Sequence, residues 1–301
     1  MDKKIFTVKS ECDGLDLEIT VFEPENKIKG IFQISHGMAE HKERYYKFME
    51  YLAQNGYATV VNDHRGHGKS VKSSDDLGYF YDSSAEYIVE DLHQITNLMK
   101  KQYPNKPVVL FGHSMGSMVV RKYIKKYDDE IDKLIVCGSP SRNKYANVGL
   151  NVAKLVEKLK GEKYRSKFIQ KLAFGTYNSK KEKSENSWIC DNEEIVNDYD
   201  KDELCGFIFT TNGFQNLFKL MIDIYNKNGW KLSNKNLPIL FIAGSNDPVI
   251  INEEKWLESQ EFLKNLGYKN IQSKIYGGMK HEILNEKGSN LVYKDILDFI
   301  E

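Results

Sequence analysis

The segment Leu110-Phe111-Gly112-His113-Ser114-Met115-Gly116 decides how this chain is interpreted. It contains a G-x-S-x-G motif and directly follows an apolar run at 107–111. Apolar residues then recur at helical spacing, at Met118, Val119, Tyr123, Ile124 and Tyr127. A serine on a sharp turn between a strand and a helix exposes its hydroxyl, provided that Gly112 and Gly116 leave room for the crowded backbone. The motif therefore predicts a buried parallel strand, a strained turn and a helix, with Ser114 as a candidate nucleophile.

Composition and charge set limits on the whole molecule. A chain of 301 residues with 41% hydrophobic and 12% aromatic content can bury a large core, either as one big domain or as a domain with an insertion. Its 43 basic and 43 acidic side chains cancel, so no overall field attracts nucleic acid. The first residues lack the apolar region of a signal peptide, and no stretch is apolar enough for a membrane-spanning helix. We therefore expect a soluble, cytoplasmic protein.

The cysteines predict no special chemistry. The four of them, Cys12, Cys137, Cys190 and Cys205, are far apart and form no C-x-x-C pair, which argues against a disulfide scaffold or a zinc site. We expect free thiols, and the alternative is a redox-sensitive Cys190 or Cys205.

Strands and helices alternate along most of the chain. After two antiparallel strands near 5–9 and 15–22, strands are predicted at 31–34, 58–62, 108–111, 133–137, 238–243 and 271–276. Helices are predicted at 44–54, 85–102, 253–266 and the C-terminus, and the second begins with a capping-box pattern, Ser83-x-x-Glu86. This alternation predicts an α/β fold with a mostly parallel, eight-stranded sheet flanked by helices.

The alternation stops between the strands at 133–137 and 238–243. Segment 139–235 is predicted to be helical and is rich in lysine and asparagine. We interpret it as a helical cap, or lid, inserted between two adjoining strands of a core that comprises 1–138 and 236–301. The whole is expected to be a single domain.

Two further residues complete a candidate catalytic triad, because a serine hydroxyl requires a base and a group that orients the base. The expected chain order is serine, acid, histidine, and of the seven histidines only His281 follows Ser114. Asp247 directly follows the predicted strand at 238–243, where functional groups gather in such sheets, although its Asp-Pro sequence is also ordinary turn material. Glu253 and Glu254 are weaker rivals because they should already be helical.

The negative charge that develops on a carbonyl oxygen during such a reaction requires preorganised donors. One should be the backbone amide of Met115, the residue after the nucleophile. The second should come from the loop after the third strand, at 35–38, and the amide of Met38 is our choice.

With these residues assembled, the chain resembles the α/β hydrolases. More narrowly it resembles the monoacylglycerol lipase and lysophospholipase group, also described as serine aminopeptidase-like hydrolases. The matching motifs run along almost the whole core, at 36–41 (HGMAEH) followed by Arg44-Tyr45, then at 63–70 (DHRGHGKS), 112–116 (GHSMG), 247–248 (DP) and 281–282 (HE). The resemblance implies an α/β-hydrolase fold with Ser114, Asp247 and His281 as the triad and the Met38 and Met115 amides as the oxyanion hole.

The resemblance also implies roles for residues around the site. Glu40 and Arg44, together with His36 and His113, are candidates to hold the polar end of the substrate. The structural alternative for Glu40 and Arg44 is a salt bridge that anchors their loop. Segment 63–70 contains two histidines three residues apart, but the family implies a structural loop there, so we expect no metal and no cofactor.

The cap carries a strong local excess of positive charge. Between 154 and 183 there are ten basic residues, Lys154, Lys158, Lys160, Lys163, Arg165, Lys167, Lys171, Lys180, Lys181 and Lys183, against three acidic ones, Glu157, Glu162 and Glu182. Apolar residues are interleaved with them, namely Val152, Leu155, Val156, Leu159, Phe168, Ile169, Leu172 and Phe174. This pattern suits a lid that rests on an anionic lipid surface. The alternative is a cap that packs its apolar face over the site while its lysines are solvated.

A second apolar group lies later in the cap. It comprises Phe207, Phe209, Phe214, Leu217, Phe218, Leu220 and Met221. These residues are dense enough to line an acyl pocket, and core packing explains them equally well.

The resulting hypothesis is a serine carboxylic-ester hydrolase for a single-chain acyl ester such as a monoacylglycerol or lysophospholipid. An aminopeptidase or thioesterase with the same triad is the alternative, and a peptidase could hold a free amine with Asp191, Glu193, Glu194, Asp198, Asp200, Asp202 and Glu203. Serine at 114 disfavours an epoxide hydrolase or a dehalogenase, which use aspartate there. A non-catalytic ligand receptor should have lost a triad member, and none is missing. The sequence leaves open whether the protein is a monomer or a dimer.

Overall fold

An eight-stranded sheet forms the centre of the protein, whose computed structural model describes residues 1–175, 177 and 184–301. The strands are β1 (Asp2–Lys9), β2 (Asp16–Glu23), β3 (Gly30–Ser35), β4 (Tyr57–Asn62), β5 (Val108–His113), β6 (Lys133–Cys137), β7 (Ile239–Gly244) and β8 (Ile271–Tyr276). Their order is β1-β2-β4-β3-β5-β6-β7-β8. Only the β1–β2 and β2–β4 pairs are antiparallel. The predicted α/β-hydrolase fold with a mostly parallel sheet is confirmed.

Helices cover the sheet and fill the insertion. Those of the core are α1 (Tyr46–Gln54), α2 (Tyr87–Gln102), α3 (Met115–Tyr127), α8 (Glu253–Leu266) and α9 (Ser289–Ile300). Those between β6 and β7 are α4 (Ala146–Lys160), α5 (Lys167–Phe174), α6 (Glu193–Lys201) and α7 (Thr211–Asp223). No helix among the described residues is both long and apolar enough to span a bilayer.

The sheet is buried on both faces because its central strands are apolar at consecutive positions. In β5, Leu110 contacts the core layer that contains residues of α2, α3 and α8, whereas Phe111 contacts the layer that contains residues of α1 and α9. Side chains alternate across a strand, so a continuous apolar run supplies both layers. All four cysteines are unpaired.

The turn between β5 and α3 has the strained geometry that the motif predicts. Ser114 has φ 53° and ψ −116°, a combination that L residues rarely adopt. A Cβ atom at Gly116 would lie 2.0 Å from the carbonyl oxygen of Ser35, and one at Gly112 would lie 2.4 Å from the carbonyl oxygen of Gly116. Only glycine fits at either position, so α3 packs directly against the backbone that follows β3.

Two predicted helix starts differ from the structure. Residues Lys42–Tyr45 form a 3₁₀ turn that precedes α1, instead of the first turn of one helix from 44. Helix α2 begins at Tyr87, and the carboxylate of Asp82, not the predicted Ser83, accepts hydrogen bonds from the amides at its start. The cap causes this shift, because the amide of Ala85, at φ 60°, donates to the side chain of Asn216 in α7.

Helix α7 anchors the cap to the core. Its side chains are almost all buried, and Asn212 Oδ1 accepts a hydrogen bond from the amide of Phe80 at 2.9 Å. Helix α4 packs closely on α7, since a Cβ atom at Gly149 would lie 2.7 Å from the ring of Phe218. The proposed division into a core of 1–138 and 236–301 and a cap of 139–235 follows these elements.

Gly116→Ala should lower the free energy of unfolding by roughly 3 kcal/mol or more, because the added methyl group meets a backbone oxygen that cannot move without displacing β3. Urea unfolding followed by circular dichroism measures the change. Gly277→Ala is the matched control, because a Cβ atom there has no neighbour within 4 Å. Equal stability of the two variants would contradict the steric argument.

Candidate active site

The structure brings the three candidate triad residues to one edge of the sheet. Ser114 follows β5, Asp247 follows β7 and His281 follows β8, and the carboxyl ends of parallel strands lie at the same edge. His281 Nδ1 donates to Asp247 Oδ2 at 2.9 Å, and both side chains are buried. The other ring nitrogen, Nε2, is buried without a hydrogen-bond partner among the described residues. Ser114 and His281 line the same cavity, and the imidazole is held there through its other nitrogen by Asp247.

Asp247 has a second contact that fixes its orientation. Its Oδ1 accepts a hydrogen bond from the amide of Val249 at 2.8 Å, at the start of the 3₁₀ turn Pro248–Ile250. The turn interpretation of the Asp-Pro sequence and the triad interpretation are therefore compatible, because each carboxylate oxygen has its own partner. Glu253 and Glu254, the weaker candidates for the triad acid, lie in the first turn of α8, where the sequence predicts a helix.

Both candidate oxyanion amides lie beside the nucleophile. Met115 is the first residue of α3, so its amide has no partner within the helix. Met38 lines the cavity with Ser114, and no hydrogen bond joins its amide to another described residue. A Cβ atom at Gly37 would lie 3.2 Å from Ser114 Cβ, which shows how closely this loop approaches the serine. Both amides are therefore available to donate hydrogen bonds to an oxyanion.

Glu40 organises the loop that carries Met38. Its Oε1 accepts hydrogen bonds from the amide of Gly37 and, at 2.7 Å, from the hydroxyl of Tyr45. Its Oε2 accepts from Arg44 Nε at 3.2 Å, and Arg44 also pairs with Glu282. Arg44 does not contribute to the lining of the cavity, whereas Glu40 does. The structure thus contains the salt bridge that was the alternative to substrate binding by Arg44.

The ionisable groups around Glu40 shift one another's pKa values. Burial alone would raise the pKa of the Glu40 carboxyl, but the hydrogen bond from His113 and the charge of Arg44 hold that pKa well below its usual range. Burial lowers the pKa of His113, but the hydrogen bond to Glu40 together with the charges of Glu40 and Glu282 raises that pKa above its usual value. His113 Nε2 lies 3.3 Å from the carbonyl oxygen of His281, so both of its ring nitrogens face acceptors. His113 therefore connects Glu40 to the loop of the candidate base.

His36 lies apart from the cavity. It is fully buried, its ring packs on those of His64 and His67, and its Nε2 accepts a hydrogen bond from the amide of His64 at 2.9 Å. Burial lowers the pKa of His36 and of His64, and it lowers the pKa of His67 to about 3. The cluster is neutral and structural in character, as the family implies for segment 63–70.

One group of metal-ligand type occurs among the described residues. His41, Asp202 and Cys205 have ligand atoms within 4.8 Å of one another. His41 Nε2 already lies 2.8 Å from Asp202 Oδ2, which joins the cap to the loop before α1. The group therefore acts as a contact between the cap and the loop of Met38.

A cavity of about 850 Å³ opens beside Ser114. Four of the apolar cap residues considered above line it, namely Phe207, Leu217, Phe218 and Met221. The other three, Phe209, Phe214 and Leu220, are fully buried in the core and do not contribute to the lining. The seven apolar cap residues therefore divide into four that form the cavity wall and three that belong to the core.

Several cap residues that the sequence does not single out contact the loop of His281 and the loop of Met38. The indole of Trp188 lies 5.1 Å from the ring of His281, and the carbonyl oxygen of Ile189 accepts a hydrogen bond from the amide of Glu282 at 2.7 Å. The hydroxyl of Tyr199 and the amide of Gly206 both donate to the carbonyl oxygen of Ala39. No motif marks these contacts, because they join distant segments through backbone groups and ring faces.

Comparison with known proteins gives the family. Residues 26–288 match the family described as serine aminopeptidase, S33. The chain belongs to this family of α/β hydrolases. It resembles the monoacylglycerol lipase of Mycolicibacterium smegmatis, at 24% identity over 287 residues that cover 95% of this chain and 93% of the relative. It also resembles the monoglyceride lipase homolog of Monkeypox virus, at 27% identity over 277 residues that cover 91% of this chain and 88% of the relative.

Solved structures agree with this placement. A thermostable carboxyl esterase from Bacillus coagulans in complex with glycerol has a TM-score of 0.91 at 28% identity, over 100% of this chain and 98% of that one. A soluble variant of the Saccharomyces cerevisiae monoglyceride lipase in complex with a substrate analog has a TM-score of 0.76 at 20% identity, over 99% and 94%. The second likeness concerns the fold alone. The chain is thus a hydrolase similar to esterases and monoacylglycerol lipases.

The lowered pKa of Glu40 predicts a specific loss of stability in acid. A carboxyl whose pKa is depressed by folding stabilises the protein above its unfolded pKa, about 4.3, and this contribution is lost as the pH falls toward the folded pKa. The free energy of unfolding should fall by up to about 1.4 kcal/mol per pH unit for this group.

Urea unfolding from about pH 6 to about pH 3 tests this effect. Glu40→Gln should unfold more readily near neutral pH, and its stability should depend less on pH than that of the wild type. Glu50→Gln, at an exposed position, should keep the wild-type profile. An unchanged profile in Glu40→Gln would contradict the assignment.

Proposed function

We propose that the protein is a serine carboxylic-ester hydrolase that cleaves single-chain acyl esters such as monoacylglycerols or lysophospholipids. The observation that carries this proposal is the convergence of Ser114, the His281–Asp247 pair and a large, mostly apolar cavity at one edge of the sheet. Such a cavity buries an acyl chain while its polar groups orient the head. The family and the esterase and lipase relatives support the same reaction class.

The reaction follows from the positions of these groups. Ser114 Oγ attacks the ester carbonyl while His281 Nε2 accepts its proton, and Asp247 stabilises the imidazolium that forms. The amides of Met38 and Met115 stabilise the oxyanion. His281 then protonates the leaving alcohol as the ester C–O bond breaks, which leaves the acyl group bound to Ser114 Oγ. A water molecule that gives a proton to the same imidazole attacks this acyl-enzyme, and the fatty acid leaves as His281 returns the proton to Ser114 Oγ.

The acidic cluster considered for binding a free amine lies outside the cavity, where Glu185 is the cap carboxylate in the described lining. None of the seven carboxylates considered for binding a free amine, Asp191, Glu193, Glu194, Asp198, Asp200, Asp202 and Glu203, belongs to the described lining of the cavity. Asp191 pairs with Lys280 and Asp202 pairs with His41, so these two tie the cap to the core. A thioesterase uses the same site geometry, so only the preferred substrate distinguishes it from an ester hydrolase.

Replacing Ser114 by Ala should lower kcat by roughly a factor of 10⁴ or more while the protein stays folded, because the nucleophile is lost and no other group lies in its place. A hydrolysis panel of monoacylglycerols, lysophospholipids, p-nitrophenyl esters, acyl thioesters and aminoacyl amides, run on wild type and variant, gives both activity and substrate class. Fluorophosphonate should label the wild type only. Undiminished ester hydrolysis by Ser114→Ala would refute the proposal.

We further propose that the cap docks on an anionic lipid surface. Helices α4 and α5 expose large apolar side chains, with Leu159 at 71% and Phe168 at 66% of full exposure. Val148, Leu155 and Leu159 share one face of α4, and Phe168 and Leu172 share one face of α5. The cap therefore does not bury all of its apolar surface over the site.

Positive charge accompanies this exposed apolar surface. Five of the basic residues are exposed on α4 and α5, namely Lys154, Lys158, Lys160, Lys167 and Lys171. Two others are engaged, since Lys163 pairs with Asp76 and Arg165 donates to backbone carbonyls. Lys180, Lys181, Glu182 and Lys183 lie outside the described residues. Apolar insertion combined with lysines near the headgroups is the arrangement of a helix that lies on a membrane.

Co-sedimentation with anionic vesicles tests the docking. Binding should be strong at low salt and weaken as salt rises. The double variant Leu159→Ser, Phe168→Ser should bind roughly tenfold or more weakly, because two inserted side chains are lost. Leu291→Ser on α9, which removes an apolar side chain that is 52% exposed and lies outside the cap, should bind like the wild type. Absence of wild-type binding at every salt concentration would end the proposal.

A further inference from the structure

Arg121 is a buried cation without a carboxylate partner among the described residues. It lies on α3, two turns after Ser114, and its side chain is fully buried. Its Nη1 makes two long contacts, 3.3 Å to Ser139 Oγ and 3.4 Å to the hydroxyl of Tyr225. Its Nε and Nη2 have no hydrogen-bond partner among the described residues. A buried guanidinium that lacks a counter-charge is strongly unfavourable, so its charge requires compensation.

The groups shown next to Arg121 are hydroxyls and an aromatic ring. The guanidinium lies 4.6 Å from the centre of the Tyr225 ring, and the Tyr225 hydroxyl lies 3.0 Å from Ser259 Oγ on α8. On the same buried side of α8, Trp256 and Gln260 each have a side-chain nitrogen without a partner among the described residues. Buried donors without a partner therefore occur on both α3 and α8.

This chemistry selects an anion as the missing partner. The Nε and Nη2 atoms form the edge of arginine that binds an anion with two parallel hydrogen bonds. The neighbouring hydroxyl groups can add donors, and a cation is excluded by the charge of Arg121. Water molecules would satisfy the hydrogen bonds but would leave the charge uncompensated.

We propose that a small monovalent anion of the size of chloride binds between α3 and α8, held by the Nε and Nη2 atoms of Arg121. Arg121, Ser139 and Ser259 are all fully buried, so an anion held there has no contact with bulk solvent. The anion connects α3 to the segment after β6, to the end of the cap at Tyr225 and to α8. It lies behind the wall of the large cavity, since Met118 and Met221, one helical turn from Arg121 and Tyr225, line that cavity.

Thermal unfolding at constant ionic strength tests the site. When chloride replaces gluconate, the melting temperature of the wild type should rise with the logarithm of the chloride concentration, as expected for a ligand that binds the folded state. Arg121→Met should lose this dependence, whether or not its stability in gluconate changes. Arg142→Met is the matched control, because this exposed arginine approaches the same tyrosine ring without being buried, and it should keep the dependence.

A crystal grown in bromide gives a direct readout on the wild type. Anomalous scattering should locate bromide within hydrogen-bond distance of Arg121 Nε and Nη2. Water at that position, or a melting temperature that does not respond to chloride, would overturn the proposal, as would an equal response in Arg121→Met. The chloride response should persist in Ser114→Ala, so the outcome is independent of the proposed esterase activity.

Discussion

The close approach of α3 to the backbone after β3 is the contact on which the rest of the structure depends. Gly116 lies against the carbonyl oxygen of Ser35, and Gly37 lies against Ser114, so the nucleophile and the loop of Met38 form one unit. A third glycine, Gly138 at φ 54°, lets the segment after β6 approach the ring of His281. A side chain at Gly116 would meet the Ser35 oxygen at 2.0 Å, so a larger residue there would force α3 away from this backbone.

Buried charge then fixes what steric contact brings together. Two buried carboxylates, Glu40 and Glu282, flank Arg44, and Glu40 also faces His113. Removing one member would leave an uncompensated charge in the interior, which is why such a cluster holds a single arrangement. Because the cluster joins the loop of Met38 to the loop of His281, it aligns the oxyanion amides with the candidate base.

The sequence predicts the elements of the core and the helical cap, but not the contacts between cap and core, for a physical reason. Strand β6, helix α8 and strand β8 have the predicted bounds, because apolar periodicity and local caps determine them. Chain order selects His281, since only one histidine follows Ser114, whereas Asp247 was selected by its position directly after a strand. The start of α2 was predicted wrongly because Asn216, far along the chain, captures the amide of Ala85. The contacts of Trp188 and Tyr199 are of the same long-range kind and leave no local pattern.

These contacts divide the cap into two parts with different tasks. The segment from Trp188 to Gly206 is tied by hydrogen bonds to both catalytic loops, and α7 is buried against the core. Helix α5 differs, because Ile169 is its only buried side chain, while Gln170 and Phe174 line the cavity. Helix α5 therefore covers the cavity with little buried surface of its own. It also belongs to the exposed apolar and basic surface of the cap.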